Sequence, residues 1–379
     1  MKKSDKKIAL LGGSSFMNDV GSEIITPLLP FLITSLGGAG LAVGLISGLR
    51  EGLASLIKLI GGWLSDRTGK RKSFVLYGYT TSAIFKLILA FVTSWYAIIT
   101  LVSLERFGKI RDAPRDAIIA DTTKKRGRGF GIHQAMDTAG GIFGSLIVLL
   151  LFWKLQWGFK PIILIAAGIS ALSILPLMFV KHTDKKPRKV KLLKSIHELN
   201  KDLKYLIFVL AIFTLGNFGL YLFILLIIKQ ITGNVVIPLL FFLFFNIISA
   251  TFTIFFGKLS DRIGRKRVLM FGFLLFLAVN IGFILNANNL ISLGVLFGLY
   301  GLVYAITLSN QKAFVSDLAG DYKGTAMGFY YFIIGIVNIF AGLIAGILWD
   351  ISPKIMFTYT SIMAILAIAL LGFVKEIKN

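Results

Sequence analysis

The chain has 379 residues, of which 56% are hydrophobic and only 16% charged, with 33 Phe, 39 Gly and no Cys. A soluble domain carries about a quarter charged residues, so this composition excludes an ordinary soluble fold, and the missing cysteines exclude disulfide and thiolate chemistry. The formal net charge is +23. In a soluble chain that would point to nucleic acid, but here the basic residues gather in alternate loops between apolar blocks, as in the cytoplasmic connections of a membrane protein. No nucleic-acid partner is expected.

A membrane-spanning helix needs roughly 20 mostly apolar residues. Blocks of that kind predict twelve spans, at 8–36, 40–65, 73–94, 96–120, 129–153, 160–180, 204–231, 235–259, 268–286, 290–315, 325–349 and 354–374. The N-terminal "MKKSDKKIALLGGSSF" reads as a retained first span, because the apolar run continues past Pro27 to about Leu36 with no small-residue cleavage site ahead of a soluble domain. "DRTGKRK", "TTKKRGRG", "DRIGRKR", the 181–204 segment and the terminal "KEIKN" are basic, whereas "GGAG", "NANN" and "DISPK" are short and weakly charged. This alternation places both termini in the cytoplasm of a multi-pass protein of the cell membrane. In 181–204 apolar residues recur at helical spacing among many lysines, which predicts an amphipathic helix on the membrane surface.

Ionisable residues inside a bilayer are expensive and default to function. At about 1.5 Å rise per residue, Asp19 lies roughly 16 Å in from the start of the first span and Glu23 about 22 Å. "NDVGSE" followed by Pro27 and Pro30 predicts a kinked first helix. Asn18, Asp19 and Glu23 on the first span, Arg50 and Glu51 on the second, Glu105, Arg106 and Asp112 on the fourth, and His133 with Asp137 on the fifth are the candidates for proton coupling and for a substrate cavity. Pairing of Asp19 or Glu23 with Arg50 or Arg106 would neutralise both members. The second half offers amides instead, and Asn217 and Asn246 are its candidates for hydrogen bonds to a solute. On an unbroken helix Glu105, Lys109, Asp112 and Asp116 share one face, Arg111 and Arg115 share another, and Pro114 should bend the helix. Three His and no Cys give no metal site, and no cofactor is expected.

The two halves repeat. "GGWLSDRTGKRKSFVLYGY" (61–79) matches "FFGKLSDRIGRKRVLMFGF" (255–273), and "DAIIADTT" (116–123) matches "KAFVSDLA" (312–319). Asp66 thus corresponds to Asp261 and Asp121 to Asp317. A repeat of this length predicts two six-helix bundles, 1–180 and 205–379, joined by the 181–204 linker.

"GGWLSDRTGKRK" and its second copy resemble the signature between the second and third helices of major facilitator superfamily transporters, and "RFGKIR" (106–111) resembles that superfamily's fourth-helix motif. The resemblance extends to its proton-coupled, drug-efflux-like permeases, although "MDTAGG" (136–141) keeps only the glycine pair of the drug-antiporter motif. It implies an all-α membrane fold of two pseudo-symmetric six-helix bundles, a central cavity, and rocker-switch alternating access. It further implies a cytoplasmic latch, with Asp66 toward the neighbouring half, Arg67 or Arg71 pairing with Asp121, and Asp261, Arg262 and Asp317 acting likewise in the second half.

An ATP-driven pump is disfavoured, since "GGWLSDRTGKRKS" lacks the glycine spacing and the Ser/Thr of a phosphate loop, and no nucleophile–base set or metal-ligand group stands out for an enzyme. The reading that remains is a secondary transporter exporting small organic or amphipathic molecules against protons, as a functional monomer in the lipid bilayer. Proton-coupled uptake of an organic anion is the alternative, and a non-transporting sensor or scaffold a second one.

Overall fold

The computed structural model describes residues 3–122, 126–180, 199–217, 219, 223, 226–227, 230, 232–286, 289–319 and 323–375, and among them there are helices and connections and no strand. The amphipathic helix expected over 181–204 lies, up to residue 198, outside the described residues.

The first span is α1 (Lys3–Ile25), a 3₁₀ turn at Thr26–Leu28 and α2 (Leu29–Ser35). Pro27 and Pro30 cause this: neither has an N–H to continue the ladder, and each sits in the opening turn of a new helical segment. Next come α3 (Gly40–Thr68) and α4 (Arg71–Leu89). The fourth span is α5 (Trp95–Glu105), a 3₁₀ segment Arg106–Arg111 and α6 (Asp112–Thr122). Then follow α7 (Arg126–Trp153), α8 (Phe159–Leu172) and the short α9 (Ile174–Met178). The second half runs α10 (Lys201–Gly216), α11 (Val236–Ile263), α12 (Arg265–Asn286), α13 (Leu290–Leu318), α14 (Lys323–Ile351) and α15 (Pro353–Gly372). Among the described residues, eight helices are long and apolar enough to cross a membrane, and helical segments lie along the expected spans, the seventh of which is described continuously only in its first part, Lys201–Gly216.

The fourth span departs from expectation in one respect. The winding changes ahead of Pro114, at Arg106, and Pro114 falls in the first turn of α6, where a missing N–H is harmless.

Contacts divide the chain into two compact units, Met1–Gly38 with Leu53–Val190, and Ala39–Gly52 with Lys191–Asn379. In the first, α1 lies along α7 and α8, and α4 packs on α8 and on the 3₁₀ segment. Glycines allow the closest approaches. A Cβ on Gly140 of α7 would stand 2.8 Å from the Phe16 carbonyl and 3.2 Å from the Asp19 Cβ, and one on Gly144 would stand 2.9 Å from the Glu23 Cβ. Without dispersion-weakening side chains between them, helices in lipid gain contact through such small residues. Asp19 and Glu23 are therefore held against α7.

In the second unit α13 packs on α11 and α12, and α15 on α10 and α12. Aromatic stacking fills its interior: Phe213 lies 3.8 Å from Phe273, and Phe283 5.0 Å from Phe357, centroid to centroid. Ala39–Gly52, which opens α3, belongs to this unit. Gly40, Gly44, Gly48 and Gly52 recur every fourth residue along it, and each meets α14 closely: a Cβ on Gly48 would stand 2.5 Å from the Asn338 carbonyl, and one on Gly342 2.7 Å from the Gly48 nitrogen. The Asp350 carboxylate accepts from the Gly40 and Leu41 backbone N–H groups at 2.6 and 2.8 Å, satisfying donors that the first turn of a helix leaves open.

Candidate functional site

Buried charge is concentrated in the first unit. Lys86, 3% exposed, projects from α4 into a socket of oxygens. Its Nζ lies 2.8 Å from Ser22 Oγ, 2.9 Å from Ser170 Oγ, and 3.2 Å from both the carbonyl and the side-chain oxygen of Asn18. Helices α1, α4 and α8 are thus tied through one ammonium. The nearest carboxylate oxygen, Glu105 Oε1, is 4.0 Å away.

Glu105 closes α5. Ser82 donates to its Oε1, and Arg106 approaches its Oε2 at 2.6 Å. Arg106 thus pairs with its own neighbour. The two are sequence neighbours, and their long side chains meet where the 3₁₀ segment begins at Arg106.

Asp112, the first residue of α6, sits among four cations, and this is where the structure departs from the two stripes expected at 100° per residue. Lys58 lies 3.4 Å and Lys109 3.9 Å from Oδ2, while Arg115 lies 3.5 Å and Arg111 3.8 Å from Oδ1. Arg115 reaches Asp112 as its i,i+3 neighbour within α6 and Arg111 as the residue just before it, so members of both predicted stripes converge on one carboxylate. Arg115 also donates to Ser15 at 3.1 Å and to Asp116 at 3.1 and 3.2 Å. Arg111, 1% exposed, donates to the Gly108 carbonyl at 2.7 Å and stacks its guanidinium 4.5 Å from the Tyr79 ring centre.

The remaining candidates occupy separate places. His133 Nδ1 is 3.4 Å from Asp137 Oδ2, one turn along α7. Asp19 is half-buried and takes a long 3.4 Å hydrogen bond from Asn18; Glu23 is half-buried. Arg50, buried, and Glu51, exposed, belong to the second unit. There Asn217 accepts from the Tyr300 hydroxyl at 2.7 Å, and Asn246 is half-buried. Lys86 was not among the candidates drawn from the sequence. Its signal is a lysine in "SAIFKLILAF" with no acid on its own helix face, so its counter-charge had to come from elsewhere.

At the helix ends, Arg71 donates to Asp121 at 2.5 Å, while Arg67 rests 5.2 Å from the Trp63 ring centre. In the second unit Arg265, rather than Arg262, meets both acids, donating to Asp317 at 3.1 Å and contacting Asp261. Arg262 is exposed and stands outside that trio. A one-residue difference between the loops explains this. Gly69 and Lys70 separate α3 from α4, whereas Gly264 alone separates α11 from α12. Both glycines have positive φ, +75° and +100°, a region closed to most side chains. Beyond the glycine the structural offset drops to 194, so Arg71 matches Arg265. Lys72 and Lys266 then play one role: Lys72 donates to the Val180 carbonyl at 2.6 Å, and Lys266 to those of Gly372 and Val374 at 2.6 and 2.8 Å. The Asp66 side chain lies outside what the structure describes.

Asp121 is 38% exposed in its side chain, so the Arg71 pair contributes little to the folded state. Asp121→Asn is expected to lower stability by less than about 1 kcal/mol, read as a small shift in thermal unfolding of detergent-purified protein.

A duplicated helical bundle with an Asp-Arg loop at equivalent ends and an ionised interior in one half is the architecture of a secondary transporter. The chain belongs to the Major Facilitator Superfamily, whose model matches residues 11–235 and 206–378. It is 46% identical to an uncharacterized MFS-type transporter of Methanocaldococcus jannaschii over 98% of this chain and 96% of that one. It is 26% identical to multidrug resistance protein MdtH of Photorhabdus laumondii, spanning 51% of this chain and 48% of that relative. The solved structure of the nucleoside transporter NupG superposes with a TM-score of 0.76 at 16% identity, covering 97% of each chain, which shows a shared fold.

Proposed function

We propose that this transporter exports small organic or amphipathic molecules from the cell by alternating access, in exchange for protons, as a monomer in the plasma membrane with both termini in the cytoplasm. The observation that carries the reading is the ionised interior of the first unit. Lys86, Glu105, Arg106 and Asp112 are buried there, between helices of a chain with 56% hydrophobic residues. Groups of this kind are retained in membranes where charge or protons move. Asp19 and Glu23, half-buried where α1 meets the glycines of α7, are the first candidates for direct exchange. The partial likeness to a multidrug resistance protein supports export over uptake. The cations at the depth expected for an anion site have acids of their own nearby: Lys58 approaches Asp112, and Arg106 pairs with Glu105.

Proteoliposomes with an internal pH dye test the proposal against a panel running from ethidium to nucleosides and organic anions. Protons moving opposite to at least one solute is the expected result. Movement in the same direction would replace export by uptake, and no flux with any solute would favour a sensor. The double variant Asp19→Asn/Glu23→Gln is expected to lose pH-driven accumulation while still equilibrating solute downhill.

A further inference from the structure

We propose that Lys86, with Glu105 as its partner, holds and hands on the exchanged proton, an inference that rests on the proton-coupled reading above. All four oxygens within hydrogen-bonding distance of Nζ are neutral, and two belong to hydroxyl groups, Ser22 and Ser170. An ammonium donates three hydrogen bonds, whereas a neutral amine donates two and can accept one. A serine hydroxyl rotates to act as donor or acceptor. The socket therefore satisfies the side chain in either protonation state, which a lysine clasped by a carboxylate would not allow.

The nearest acid completes the exchange. Glu105 Oε1 stands 4.0 Å from Nζ, about 1 Å beyond an ordinary hydrogen bond. In the transfer an N–H bond of the ammonium breaks with its electron pair remaining on nitrogen, and the proton forms an O–H bond at Oε1. Ammonium and carboxylate become amine and carboxylic acid. The pair is neutral overall before and after this step, so no net charge is created in the membrane interior, where an isolated ion is costly; the acid then gives the proton up to water and returns to carboxylate, leaving Lys86 as the amine, and that one-proton loss is what a titration counts. Because Oε2 of the same carboxylate holds Arg106 at 2.6 Å, the proton's position determines whether Arg106 has an anionic neighbour at the start of the 3₁₀ segment. The other charged groups acting on Lys86 are Arg106 and Arg111 of the fourth span and Asp19 of α1, and α8 presents only Ser170.

The test counts protons and needs no solute. Purified protein is titrated potentiometrically between about pH 6 and pH 9, a range in which exposed lysines stay charged, and wild type is compared with Lys86→Arg and Lys86→Gln. Arginine keeps the charge but does not release a proton. The expected result is that each variant takes up one proton fewer per chain than wild type. Equal uptake in wild type and both variants overturns the proposal. Should neither variant fold, ¹⁵N-lysine NMR of the wild type decides: one lysine nitrogen changing charge in this range supports the proposal, and none doing so overturns it. A wild type that moves no solute against a gradient would remove the proposed function, but it would leave the titration result standing, so the two failures are separable.

Discussion

Glu105→Ala is expected to destabilise the folded protein by roughly 3–5 kcal/mol, the range for removing one partner of a buried ion pair. Glu105 is 5% exposed, Arg106 8% and Lys86 3%, so water cannot replace the lost carboxylate. Arg106 would lose its 2.6 Å partner and Ser82 its acceptor, while Lys86 would keep its neutral oxygens but lose its nearest negative charge. Glu105→Gln should fall well short of that loss, since the amide still accepts from Ser82. Thermal unfolding of the detergent-solubilised variants, followed by the fraction surviving size exclusion, measures both. Wild-type unfolding for Glu105→Ala would mean that the two cations have other anionic neighbours.

The second large effect is expected at Gly78. A side chain there would enter the backbone of the fourth span: its Cβ would contact the Gly108 carbonyl oxygen and stand 2.6 Å from the Arg111 Cβ. Gly108 is equally confined, with a prospective Cβ 2.7 Å from the Gly78 carbonyl and 3.2 Å from the Ser82 Cβ. Two glycines on facing helices thus let α4 touch the 3₁₀ segment directly. Gly78→Leu should cost about 1–3 kcal/mol or more by overpacking. It should also displace Arg111 from the Gly108 carbonyl and the Tyr79 ring, so transport should fail even in protein that still folds. Gly168→Ala is the control, because nothing lies within 4 Å of a Cβ at that position; it should unfold and transport as wild type does.

The twelve spans, the half-chain repeat and the Asp-Arg loops were legible because each rests on a local signal: length of apolar run, alternation of basic loops, and a repeated string. The arrangement of charge was legible only in part. Projecting 105–121 as one helix at 100° per residue grouped Arg111 and Arg115 apart from the acids, yet Arg115 is an i,i+3 neighbour of Asp112 on any α-helix, so the two stripes were drawn too strictly. No residue in "RFGKIR" announces the winding change at Arg106–Arg111. Arg265 was missed for Arg262 because an alignment at a constant offset of 195 hides the single extra residue, Lys70, in the first loop. Lys86 was not singled out, since its partners come from α1, α5 and α8, and single-helix periodicity says nothing about such neighbours. The glycines at 40, 44, 48 and 52 were readable as a close-packing stripe, having a four-residue spacing in an apolar helix.

The 3₁₀ segment also sets a length. Six residues at about 2.0 Å rise extend roughly 12 Å, whereas the same six in α-helical form would extend roughly 9 Å. Rewinding Arg106–Arg111 would therefore draw α6 toward α5 by about 3 Å and turn it by about 120°. Such a screw motion would carry Asp112 away from Lys58, and Arg115 away from Ser15, while Asp121 at the far end of α6 was pulled against its bond to Arg71. The fourth span is in this sense a threaded rod: an event at Glu105 and Arg106 can reach the membrane edge as a fixed combination of travel and rotation, with no need for the surrounding helices to deform.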